Sequence, residues 1–153
     1  MEEKIEYRMY FLTNYQLTGI QSGIQAGHAA IEYSLKYQDD EDYQEWARHN
    51  KTFIILNGGA TNTNPDNLGT INRHLQTLKD NGIKVAEFYE PDLGDQLTAI
   101  AFLVEERVFN KLKYPDFDRE LVTYKYQDEI EWINTIGKKN AFLRNFLSSF
   151  KLA

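Results

Sequence analysis

Residues 98–104 read TAIAFLV, a run that is apolar toward both of its sides. A strand of that kind is buried on both faces, so the stretch predicts the central strand of a covered sheet. Only residues 90–97 separate it from the preceding strand-like stretch, residues 84–89, and a connection that short makes the two antiparallel neighbours or nearly so. Further upstream, residues 7–13 (YRMYFLT) and residues 52–56 (TFIIL, ended by Gly58-Gly59) have the length of buried strands. Helical patterns separate these earlier strands, which favours parallel pairing through right-handed crossovers. The order is therefore β-α-α-β-α-β-β. The fold expected is three-layer α/β: a mixed four-stranded sheet with helices on both faces, followed by a C-terminal helical extension. A chain of 153 residues suits one domain, with a core over residues 1–106 and an extension over residues 107–153.

The first helix opens at Thr18, where Thr18-x-x-Gln21 has the spacing of a capping box. Ile20, Ile24, Ile31 and Leu35 recur at helical intervals and predict the face laid on the sheet. Gly23, Gly27 and Ala30 form a second, small-residue face. Glycine costs about 1 kcal/mol in a helix interior, so this face suggests close approach by a backbone or a ligand. Residues 38–42 read as an acidic turn, followed by a short helix with Tyr43 and Trp46 on its apolar side. A later helix carries Leu68, Ile71, Leu75 and Leu78 in register, with Asn81-Gly82 as its stop. Beyond residue 106 the pattern suggests a strand over residues 121–126 and one or two helices after it.

Composition narrows the function. The apolar fraction of 42% excludes an intrinsically disordered chain. With no cysteine, neither a disulfide nor a thiolate metal site can form. His28, His49 and His74 share no ligand spacing, so no metal and no cofactor is expected. The charged start and the short apolar run at residues 9–12 predict neither a signal peptide nor a membrane span, and the expected location is cytoplasmic. Net charge is -6, unevenly spread: residues 1–106 hold eight basic and 17 acidic side chains, residues 107–153 nine and six. An anionic partner would be attracted toward the C-terminal part.

Two clusters could carry chemistry. Gln21, Gln25, His28 and Glu32 share one polar stripe of the first helix. His28 could serve as acid, base or donor near neutral pH, or be a core histidine satisfied by a backbone group. Gln21 is already explained by its capping role. Glu90-Pro91-Asp92-Leu93-Gly94-Asp95 places three carboxylates between two strands, as a general base, a water-orienting group, a cation site, or an ordinary turn. Thr98 follows, adding a hydroxyl or simply opening the strand. Gly58-Gly59 lacks the Lys-Ser/Thr of a phosphate loop. The last helix, from Gly137 to Leu152, sets Phe142, Leu143, Phe146, Leu147 and Phe150 on one side and carries Lys138, Lys139, Arg144 and Lys151. Its apolar side would dock on the core or on a second subunit as a homodimer. Its cations could touch phosphates or a membrane surface.

Gln25-Ala26-Gly27-His28-Ala29-Ala30 is similar to the Gln-x-x-His-Ala-Ala of the type II peptidyl-tRNA hydrolase family. Trp46 ahead of the Lys51–Leu56 strand, and Asn81-Gly82-Ile83 ahead of the third, also resemble that family over roughly residues 6–106. The resemblance implies metal-free cleavage of the ester joining a peptide to the 3′ end of tRNA. It casts His28, Glu90, Asp92 and Thr98 as catalytic, and Gln21, Gln25 and Asp95 as substrate-binding. Two departures stand out. The family's lysine is replaced by Gln21, with no lysine between Lys4 and Lys36, and the loop before Thr98 is shorter. The alternative is an inactive relative that binds RNA or protein.

Overall fold

The computed structural model describes residues 4–117 and 128–153. In chain order the elements are β1 (Tyr7–Asn14), α1 (Gly19–Tyr37), α2 (Glu41–Glu45), β2 (Phe53–Gly59), α3 (Thr70–Asp80), β3 (Ala86–Glu90), β4 (Gln96–Glu105), α4 (Glu106–Phe109), α5 (Glu129–Ile136) and α6 (Lys138–Leu147). The strand expected over residues 121–126 lies outside the described residues.

The sheet order is β2-β1-β4-β3. β1 and β2 pair in parallel, while β4 runs antiparallel to both of its neighbours. The first three strands therefore run one way and β4 the other, a mixed four-stranded sheet. β4 is buried continuously from Leu97 to Phe102, as its two-faced apolar run requires. Alternation of side chains then divides the interior into two layers. On one face Met9, Phe11, Ala99 and Ala101 meet Ala26, Ala29 and Tyr33 of α1 together with Trp46. On the other, Leu12, Ile100, Phe102 and Val104 meet Ile71, Leu75 and Leu78 of α3 and Leu143 of α6. Leu68 precedes α3 rather than belonging to it.

α1 is turned opposite to the expectation. Ile20, Ile24, Ile31 and Leu35 are 80%, 53%, 60% and 69% exposed. The face on the sheet is Ser22, Gln25, Ala26, Ala29 and Tyr33. Both sets share the helical period, so period alone cannot choose between them. The choice follows from fit: small side chains let the helix lie close over Met9 and Phe11, and the buried polar ones find partners. Thr13 Oγ1 lies 3.5 Å from Ser22 Oγ, and the capping box at Thr18 and Gln21 is formed in both directions. Within the chain nothing packs on the two glycines, because a Cβ built on Gly23 or Gly27 meets nothing within 4 Å.

Gly58 and Gly59 lie inside β2, where their small size serves packing. A Cβ on Gly58 would come 3.0 Å from Leu12 Cβ and 3.1 Å from the Thr13 carbonyl oxygen, and one on Gly59 2.7 Å from Thr70 Cβ. Gly82, at φ +73°, takes the chain out of α3 after Asn81, as expected of that pair.

The apolar side of α6 docks on the core, with Leu143 buried and Phe142, Phe146, Leu147 and Phe150 packed around it. The helix ends at Leu147 instead of Leu152. Residues 151–153 leave it to pair with the open edge of β2: Asn57 N–H donates to the Lys151 carbonyl (2.9 Å), and Ala153 N–H to the Ile55 carbonyl (3.0 Å). Arg144 is not a surface cation. It is 6% exposed and donates to the carbonyls of Tyr114 and Arg107 and to Asp116, tying α6 to the segment after β4. Among the described residues, no helix is long and apolar enough to cross a membrane.

Candidate functional site

The ends of β1 and β3 and the start of β4 meet at one end of the sheet, and the first half of α1 crosses above them. Gln25 is the junction. Its Nε2 donates to Glu90 Oε2 (2.9 Å), and its Oε1 accepts from Thr98 Oγ1 (2.5 Å). The amide has one sensible orientation, because an ionised carboxylate only accepts and therefore requires the nitrogen. Gln25 is 8% exposed and Thr98 1%, so each replaces water for the other. Thr98 Oγ1 also lies 3.4 Å from the Phe88 carbonyl.

Glu90 ends β3 and caps the turn that follows. Its Oε1 accepts from Asp92 N–H (3.2 Å), and its carbonyl from Asp95 N–H (2.9 Å). Gly94 at φ +67° and Asp95 at φ +57° complete the reversal into β4. The Gln25 hydrogen bond holds the Glu90 carboxyl below its ordinary value. Desolvation opposes this, while the Asp92 amide and the nearby His28 add to the lowering. Glu90 is an anion at neutral pH. Asp92 and Asp95 are exposed at the turn, so of the three acids only Glu90 is directed into the network.

His28 lies one turn beyond Gln25, half-buried, its ring stacked on Phe88 with centroids 4.6 Å apart and planes 23° apart. Phe88 and Glu90 occupy the same side of β3 and meet the same side of α1, so His28 and Glu90 are neighbours.

A cleft of about 430 Å³ opens beside this network, lined by Asn14, Gln16, Leu17, Gln21, Leu93, Gln96 and Thr98. Thr98 belongs to both cleft and network. Gln25, His28 and Glu90 lie behind it and do not line the cleft. Gln21 is at the wall: its Oε1 accepts from Thr18 N–H (3.0 Å), which leaves the amide nitrogen to donate into the cleft. Asn14 went unremarked in the sequence, as did its partner Thr61. Asn14, 6% exposed, donates from Nδ2 to Thr61 Oγ1 (2.7 Å), and Thr61 donates to the Leu97 carbonyl (2.7 Å). The available signal was a polar residue ending an apolar strand. The lining carries amides, a hydroxyl and two leucines, with no ionisable group. Among the described residues, no group of three or more His, Asp or Glu could hold a metal ion.

No family model matches the chain, and no curated protein matches it.

Proposed function

We propose that the chain hydrolyses the ester between a peptidyl or aminoacyl group and tRNA, with Thr98 as the group that meets the reacting water. The observation that carries this reading is the line Glu90–Gln25–Thr98, an anion relayed through a buried amide to a hydroxyl at the cleft. Thr98 spends its proton on Gln25, so its oxygen presents lone pairs to a water in the cleft. Glu90 lies behind the cleft and acts through Gln25, holding Thr98 with its lone pairs toward the water, whose proton passes to the departing ribose oxygen as the ester C–O bond breaks. Gln21 and Gln96 line the same cleft and supply neutral donors for the negative charge that an ester carbonyl would develop. His28 supports the anionic form of Glu90 from the side. The choice of tRNA as the alcohol follows from the Gln-x-x-His-Ala-Ala resemblance.

The test is turnover of N-acetyl-aminoacyl-tRNA by the purified chain and by Glu90→Gln, Thr98→Val and His28→Ala. Misplacing a group that holds a reactant costs about 10²-fold, and losses of that order are expected for the first two. The cleft's lack of cations and the acidic character of residues 1–106 favour a second reading, a non-catalytic RNA- or protein-binding relative. Absent turnover, with retained tRNA binding that Gln21→Ala weakens, would select it.

A further inference from the structure

α1 places aliphatic side chains where a surface helix normally carries polar ones. At 3.6 residues per turn, the stripe of Ile20, Ile24, Ile31 and Leu35 points roughly 180° away from the buried arc of Ser22, Ala26, Ala29 and Tyr33. These four side chains expose on the order of 500 Å² per molecule, at the upper end of what a typical monomer leaves as one patch.

The stripe is symmetric about its own midpoint. Reversing the helix about the position between Gly27 and His28 exchanges Ile20 with Leu35 and Ile24 with Ile31. A two-fold interface demands this kind of self-matching, because one patch must complement itself. Gly27 at the midpoint meets nothing within 4 Å of an added Cβ, so a second helix could approach closely there. Antiparallel packing also opposes the two helix dipoles favourably. The aliphatic stripe supplies over half of the ~800 Å² per partner of a standard interface, before flanking side chains are counted. An anionic lipid surface fits less well, because residues 1–106 are strongly acidic.

We infer that the chain forms a two-fold homodimer in which α1 packs antiparallel against α1 of a second copy through Ile20, Ile24, Ile31 and Leu35. The face is distinct from α6, whose apolar side is spent on the core.

Light scattering on the full chain during size exclusion should give twice the 17.9 kDa chain mass, and Ile24→Glu/Ile31→Glu should give the monomer with an unchanged helical spectrum. A monomer at every concentration, or a dimer that survives the double substitution, overturns the inference. Register is tested by engineered cysteines, which have no native competitor in this sequence. Mild oxidation should cross-link Ile24→Cys/Ile31→Cys into a covalent dimer but leave Ile24→Cys alone uncross-linked. Efficient self-linking of the single variant would mean parallel helices and would overturn it.

Discussion

Replacing Thr98 by valine keeps the side chain's shape and removes the proton that Gln25 Oε1 accepts at 2.5 Å. The valine methyl fills the space that the hydroxyl held and Gln25 is 8% exposed, so no water enters between them. A buried acceptor left without a donor costs about 1–3 kcal/mol. Taking ~2 kcal/mol, a domain of this size should melt about 4–8 °C lower. Urea unfolding of wild type, Thr98→Val and Thr98→Ser separates this from a packing effect. Serine loses one methyl, worth about 0.8 kcal/mol, but keeps the bond. The expected order is wild type, then serine, then valine, at a common slope against urea. A valine variant as stable as wild type, or more stable than serine, would refute the view that Gln25 depends on Thr98.

Other outcomes follow from neighbouring features. Because the folded-state pKa of Glu90 is depressed, its contribution is complete above the ordinary carboxyl value of 4.5 and is lost as pH falls through the lower folded value. Melting temperature measured from neutral to acid pH should therefore drop more in wild type than in Glu90→Gln, and parallel curves would contradict that. Gly23→Ala adds a methyl to open space on a helix, and should stabilise by up to ~1 kcal/mol in chemical denaturation. Gly58→Ala faces Leu12 Cβ at 3.0 Å and the Thr13 carbonyl, and should destabilise by about 1–3 kcal/mol. Arg144→Met should cost at least the ~1.5–3 kcal/mol of one charge-assisted bond and speed proteolysis within residues 107–116, seen by mass spectrometry of the fragments.

Which parts were legible in the sequence depended on how many faces an element buries. β4 buries both, so its seven apolar residues admitted one interpretation, and its short link to β3 set their direction. α3 buries one face, and only one set of its residues was apolar. α1 offered two stripes of the same period, one aliphatic and one of Ser, Gln, Ala and Tyr, and the aliphatic one attracted the wrong assignment. Its true inner side is recognisable only through partners distant in sequence, since Gln25 needs Glu90 and Thr98. The same distance hid Asn14 and Thr61, which meet across 47 positions. Gln25, Glu90 and Thr98 were identifiable as residues. What could not be read was that Asp92 and Asp95 point elsewhere, since a turn's composition does not say which acid folds back.

The pairing of residues 151–153 with β2 bears on how this sheet avoids sticking to others of its kind. An uncovered outer strand offers free amides and carbonyls to any extended peptide. Here Leu152 lies against Leu56 and takes that place from within the molecule. Clipping the last three residues would bare the Ile55 carbonyl and the Asn57 amide without disturbing the interior. The shortened protein should stay folded yet become prone to fibrous stacking.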